Sequence, residues 1–101
     1  MSERYPTDEV LEYIRDYDWT RYGMDDLLQC INAEWWPNGI RPQDRYEDRE
    51  GRSILILTTG GWSGNEDIIE ALRTNKHMWW TVHWLLSKRG GYYEFDITPL
   101  K

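Results

Sequence analysis

The residues best placed to do chemistry lie between Thr58 and Asn65, in the run Thr-Thr-Gly-Gly-Trp-Ser-Gly-Asn. Glycine at 60, 61 and 64 admits positive φ and close backbone approach. An apolar run leads into this turn and a helix-forming run leaves it. The turn would therefore sit at a helix N-terminus, where free N–H groups favour an anion. Gly60, Gly61, Ser63 and Asn65 would line such a site, Thr58 and Thr59 would add hydroxyls, and Trp62 would stack on a base or sugar. The string lacks the Lys-[Ser/Thr] of a P-loop and the spacing of a dinucleotide fingerprint. Glu66 and Asp67 also put negative charge where a phosphate would lie. The plainer expectation is a structural turn in which Ser63 or Asn65 caps the helix, Ser63 with Glu66 matching a capping box.

Other reactive constellations are weaker. Gly61-Trp62-Ser63-Gly64-Asn65 departs from the Gly-x-Ser-x-Gly nucleophile elbow at its last position. On a strand, His77 and His83 would fall on opposite faces or ends, which is poor geometry for a shared metal. The single Cys30 rules out an intramolecular disulfide and a multi-cysteine zinc site, and its place beside Ile31 on a helix suggests an inert thiol. It also fits a reducing cytoplasm. Nothing in the spacing of the carboxylates brings two into a cleft. The expectation is a protein that is not an enzyme, with no metal and no cofactor.

Aromatic side chains are the more informative feature: seven Trp and seven Tyr against one Phe. Both types join a large apolar area to one polar handle, so they suit half-wet surfaces as well as cores. In the adjacent pairs Trp35-Trp36 and Trp79-Trp80, one ring of each should face away from the side on which its neighbour packs. Trp62 in its loop is the leading candidate for an exposed anchor, with Trp36 beside it in the candidate set.

Charge is unevenly spread. Residues 1–36 hold nine acids and three bases and carry the whole net charge of −6; residues 37–101 balance nine acids with nine bases. Such a surface repels phosphate backbones, so direct nucleic-acid binding is not expected; a basic protein surface would be attracted. Asp16, Asp25 and Asp26 are the candidate contacts. No apolar segment follows the polar N-terminus as in a signal peptide, and no run nears the ~18 apolar residues of a membrane helix. A cytoplasmic protein is expected.

These groups need elements to hold them. Thr7 caps a first helix whose apolar stripe is Val10, Leu11, Ile14 and Tyr17, ending near Asp18. After a short connection through Trp19, a second helix runs from Met24 to Trp35 and is stopped by Pro37. The two should form an antiparallel acidic pair over residues 1–36. Residues 37–52 are a charged segment, read either as a mobile loop or as an edge strand around residues 45–47. Residues 54–59 form a strand covered on both faces, and residues 67–74 a helix with Ile68, Ile69 and Leu72 inward. The apolar run 78–86 fits helix or strand; its aromatic and β-branched content favours strand. Lys88-Arg-Gly-Gly then turns into an alternating strand with Tyr93, Phe95 and Ile97 on one face. The prediction is a single α+β domain, 1–101, of order α-α-β-α-β-β. Its sheet is small and mainly antiparallel, with three strands or four, and residues 53–101 form a β-α-β-β unit.

The strings Thr-Gly-Gly-Trp-Ser-Gly-Asn-Glu (59–66) and Arg-Gly-Gly (89–91) resemble a group of short bacteriophage-encoded proteins of unknown function. Those proteins share a Thr-Gly-Gly-Trp-Ser-x-Asn-Glu core and a later Arg-Gly-Gly turn. The resemblance covers about the last half of the chain. It implies a phage accessory protein in a bacterial cytoplasm, acting on a host or phage protein, and carries no activity with it.

Overall fold

The computed structural model describes residues 5–36 and 38–99. Pro37, the expected helix stop, lies outside them. The fold is α+β. In order it comprises α1 (Asp8–Asp16), α2 (Trp19–Tyr22), α3 (Asp25–Glu34), a 3-10 turn (Pro42–Asp44), β1 (Arg45–Glu47), β2 (Ser53–Thr58), α4 (Ser63–Arg73), α5 (Trp79–His83), β3 (Trp84–Lys88) and β4 (Tyr92–Asp96). The four strands are antiparallel in the order β1-β2-β4-β3.

The sheet follows from its side-chain alternation. Leu55 pairs with Phe95 and Leu57 with Tyr93, so these residues share one face. That face meets Leu11 and Ile14 of α1, Leu27, Leu28 and Ile31 of α3, and Ile68, Ile69 and Leu72 of α4 in one core. Ile97 is buried in the same core, as the alternation of the last strand predicts. On the other face of β2, Ile54 is covered but Ile56 is only half-buried, so the strand is less enclosed than expected. In the charged segment 37–52, the edge-strand alternative is the one seen. Asp48 folds the β1–β2 turn onto itself by accepting the Glu50 and Arg52 N–H groups, each at 2.9 Å, and pairing with the Arg52 guanidinium at 2.7 Å.

The helices differ from expectation in three places. Thr7 does cap α1, its hydroxyl accepting the Val10 N–H at 3.2 Å. However, α1 packs chiefly on α4 instead of pairing closely with α3. The connection through Trp19 is itself a short helix, because Asp18 caps it and the buried Trp19 indole donates to the His77 carbonyl at 2.9 Å. Most significantly, residues 78–83 are not strand. Met78 takes φ 62°, a left-handed conformation, and starts α5. Trp79 and His83, four apart, then bury together against the core, where strand geometry would separate them to opposite ends. The strand begins only at Trp84, and a register shift between Trp84 and Leu86 absorbs the change.

Candidate functional site

Two regions hold the residues singled out in the sequence. The first is the corner between β2 and α4. Gly60 and Gly61 both have positive φ, and the Trp62 N–H closes the turn on the Thr59 carbonyl at 3.1 Å. Trp62, not Ser63, is the N-cap, and no side chain caps this helix. The expected Ser63/Glu66 capping box is therefore absent, because Ser63 is already the first helical residue.

Asn65 is buried, at 1% exposure, and acts as a clamp. Its Oδ1 accepts the Trp36 N–H at 2.9 Å, while its Nδ2 donates to the Trp36 carbonyl at 2.9 Å and the Thr59 carbonyl at 3.3 Å. The amide thus pairs with the Trp36 backbone as a neighbouring strand would. It brings the Trp36 ring edge-to-face with Trp62, centroids 5.5 Å apart. A third segment joins the corner from the β3–β4 turn: the Thr59 N–H donates to the Gly91 carbonyl at 2.9 Å. The Thr-Gly-Gly and Arg-Gly-Gly strings, distant in sequence, are in direct contact.

With its amide engaged this way, Asn65 is not available to an anion. Trp62 is half-buried, leaning on Trp36, so it is not a free-standing anchor. A shallow groove of about 230 Å³ runs beside it, floored by Ile56 and walled by Trp36, Trp62 and Arg41. Arg41 is paired with Asp44 at 3.0 Å. The Trp36 indole Nε1 is buried without a hydrogen-bond partner.

Within the two Trp pairs, Trp35 and Trp79 are buried and Trp36 and Trp80 half-buried, as the pairing predicts. Trp80 stacks on Trp84 and lies under the Arg73 guanidinium, 4.5 Å from the ring centroid. Trp84 is the most exposed tryptophan, on the edge strand with Leu85. The apolar run 78–86, taken as one strand, gives no sign that Trp84 stands where helix changes to strand.

The second region is the acidic face. Asp25 and Asp26 occupy the first turn of α3, where their charge complements the helix dipole. Asp16 is turned elsewhere, paired with Lys76 at 2.8 Å. The third carboxylate that acts on Tyr17 with Asp25 and Asp26 is instead Asp18. It accepts the Thr20 and Arg21 N–H groups at 3.1 and 3.2 Å, and also the Thr20 hydroxyl. That hydroxyl is the main reason its pKa is held below the usual carboxylate range.

Between these acids runs a row of tyrosines. Tyr13 and Tyr17 lie 5.5 Å apart and Tyr17 and Tyr22 6.3 Å, centroid to centroid. Tyr17 is buried and anchors the row by donating to the Gly23 carbonyl at 3.0 Å, while Tyr13 and Tyr22 are exposed. Burial first, and then the charges of Tyr13, Asp26, Asp25 and Asp18, push the Tyr17 phenol up. Tyr13 is pushed up by burial, then by Cys30 and Asp26. The Tyr13 and Tyr17 phenols thus lie within reach of carboxylate charge. Sequence reasoning missed the tyrosine row and Asp18, although Asp18 directly before Trp-Thr-Arg is a recognisable helix-cap signal.

His83 is buried at 2% exposure, stacked on Trp79 and edge-on to Trp19, with Nδ1 2.8 Å from the Trp79 carbonyl. It is a helical residue, not the sheet residue expected. Burial lowers its pKa below the usual 6.5, opposed by the Trp79 carbonyl and by Asp96. The unfolded chain therefore binds a proton at this position that the folded chain resists. Stability should be full above that usual value of 6.5 and fall as pH drops below it toward the lowered folded-state pKa. Urea denaturation between pH 7.5 and pH 5 reads this slope, which His83→Gln should flatten.

Among the described residues, no group of three or more His, Cys, Asp or Glu is arranged to hold a metal, and no helix is long and apolar enough to cross a membrane. No protein-family model matches the chain, and neither a curated protein nor a solved structure matches it significantly.

Proposed function

We propose that this chain is a non-enzymatic interaction protein whose acidic, tyrosine-lined face binds a protein partner with a basic surface. The observation that carries this reading is the gathering of Asp18, Asp25 and Asp26 about Tyr17, whose ring is flanked by Tyr13 and Tyr22. Carboxylates supply long-range attraction to Lys and Arg. Exposed tyrosine rings supply low-entropy contact area and faces for cations. The fold already contains one such contact, with the Arg21 guanidinium 5.4 Å from the Tyr22 ring centroid.

The resemblance of residues 59–66 and 89–91 to short phage-encoded proteins supports an accessory protein in the cytoplasm of a bacterial host, binding a host or phage protein. The same acidity disfavours direct nucleic-acid binding. The reading is tested by reversing Asp25 and Asp26 to Lys. Partner capture should weaken at least tenfold while the melting temperature stays within a few degrees.

A second reading has one specific observation in its favour. The unpartnered Trp36 Nε1 behind Trp62, beside Arg41 and the Gly60–Gly61 turn, suits an acceptor-bearing small ligand such as a nucleotide. Trp62 would swing out to stack on it. A thermal-shift screen with nucleotides should then show stabilisation that is lost in Trp62→Ala; no shift with any nucleotide removes this reading.

A further inference from the structure

Residues 78–85 run between two fastened ends. Upstream, Asn75 ties the chain to α1 and its end. Its Nδ2 donates to the Ile14 and Tyr17 carbonyls at 2.7 and 3.0 Å, and its Oδ1 accepts the His77 N–H at 2.9 Å. The Trp19 indole donates to the His77 carbonyl immediately before the segment. Downstream, Leu86, Ser87 and Lys88 pair in regular register with β4. The segment starts at the left-handed Met78 and ends at the register shift between Trp84 and Leu86. A left-handed backbone is costly for any residue but glycine. Met78 is also 60% exposed, so its side chain gives back little by packing.

Little else keeps α5 in place. The helix is five residues long and no side chain caps it. Trp-Trp-Thr-Val-His is made of aromatic and β-branched types that lose side-chain freedom in a helix. Only Trp79 and His83 of α5 are buried. Trp79 is one anchor, its ring centroid 4.9 Å from that of Phe95. His83 is the other, stacked on Trp79 with centroids 4.9 Å apart and perpendicular to Trp19 at 4.5 Å.

The second anchor can take up a proton. Charge in a buried, mainly aromatic setting is unfavourable without a counter-ion. The charged groups that share its two flanking clefts are Asp96 of β4, Asp25 of α3 and Arg21 of α2. None of them makes an ion pair with His83 among the described residues; Asp96 accepts the Thr98 N–H and hydroxyl at 3.0 and 2.6 Å. Burial outweighs the help that the Trp79 carbonyl and Asp96 give to a charged ring. His77, just upstream, lies 3.7 Å from Asp18, so its own protonation tightens the upstream end.

We propose that residues 78–85 are an acid-released latch: as the pH falls below neutrality, α5 lifts from the core as a local unit while the sheet and the other helices stay folded. Lifting uncovers Trp79 and the side of Phe95 that it covers. These join Met78, Val82, Trp84 and Leu85, which are already exposed.

Native-state hydrogen exchange on the full chain, at pH 7.5 and 5.5 and at urea concentrations below the unfolding transition, reads this opening. The reporting amides are Val82, bonded to the Met78 carbonyl at 3.1 Å, and Trp84, bonded to the Trp80 carbonyl. Amides of the central strands β2 and β4 report global unfolding. In the released segment His83 regains its ordinary value of 6.5, so the open form gains as pH falls below 6.5, until the lowered value of the closed form is reached. Corrected for intrinsic exchange, protection at Val82 and Trp84 should fall about three- to tenfold from pH 7.5 to 5.5. It should also lie below that of β2 and β4 and be insensitive to low urea. Exchange of Val82 and Trp84 only together with β2 and β4, with the same urea dependence, overturns the proposal, because α5 then opens only when the whole chain does. Protection that is unchanged or raised at pH 5.5, as attraction of an imidazolium to the Trp79 ring would give, overturns it too. The wild type carries both comparisons, so neither depends on a variant that folds.

Discussion

Asn65→Leu should destabilise the protein by about 4 kcal/mol, lowering its urea midpoint and melting temperature. The estimate comes from what the substitution leaves behind. The Asn65 amide satisfies the Trp36 N–H, the Trp36 carbonyl and the Thr59 carbonyl. Leucine has similar volume and replaces none of these bonds, so the part-buried Trp36 N–H and carbonyl lose their partners at about 1–3 kcal/mol each, while the Thr59 carbonyl keeps the Trp62 N–H. Asn65→Asp is the informative companion. It keeps an acceptor for the Trp36 N–H but sets a carboxylate against two carbonyls. Its buried carboxyl should titrate well above the usual range, so this variant should gain stability as pH falls. A loss below about 1 kcal/mol in Asn65→Leu, within the range of an ordinary surface substitution, would mean that the clamp is not what joins the Trp35–Trp36 segment to the corner.

Gly91→Ala should have a comparable effect for a steric reason. Gly91 has φ 80°, and a Cβ there would meet Thr59 Oγ1 at 2.1 Å, Thr59 Cβ at 3.2 Å and Thr59 Cγ2 at 3.5 Å. Alanine in the left-handed region costs about 1–2 kcal/mol by itself, and relieving the clash must move either the hairpin turn or the β2 terminus. A total near 3 kcal/mol is expected. The clash has a single main partner, so Thr59→Ala in the Gly91→Ala background should restore part of the loss. Stability of the four proteins of that cycle gives the coupling directly. Additive losses would show that the two glycine strings touch without depending on each other. Gly90→Ala is the control, since its φ is also positive but a Cβ there meets nothing within 4 Å.

Much of the architecture was legible because local and tertiary preferences agree. Thr7 caps where a cap is expected, Leu55 and Leu57 alternate as they bury, and Tyr93, Phe95 and Ile97 face the same core. The misreading of residues 78–83 has a physical cause. Trp-Trp-Thr-Val-His suits a strand by side-chain type, and the two features that make it a helix are not local. One is the left-handed Met78, and the other is the burial of Trp79 and His83 against Trp19 and Phe95, residues far away in sequence. Asn65 shows the same limit at the candidate site. Within its own segment it looks like a helix cap, whereas its partners include Trp36, 29 residues earlier.

The acidic face was legible as a charge imbalance but not as a surface. Counting charges gave Asp16 the same standing as Asp25 and Asp26, and only the pairing of Asp16 with Lys76 sets it apart. Of the tyrosines, periodicity marks only Tyr17, on the buried stripe of the first helix; the short helix that swings Tyr22 toward it leaves little trace in the pattern.

The proposal that this acidic, tyrosine-lined face binds a basic partner is tested most directly by quantitative affinity capture from bacterial lysate. The wild type is compared with Asp25→Lys/Asp26→Lys, with Asp16→Lys and with Trp62→Ala, each first shown to be folded by circular dichroism. One basic protein should be enriched by the wild type, retained by Asp16→Lys and Trp62→Ala, released by a few hundred millimolar salt, and lost from the Asp25/Asp26 double variant. Retention of the same partner by the folded double variant, with no dependence on salt, would show that the acidic face is not the binding surface.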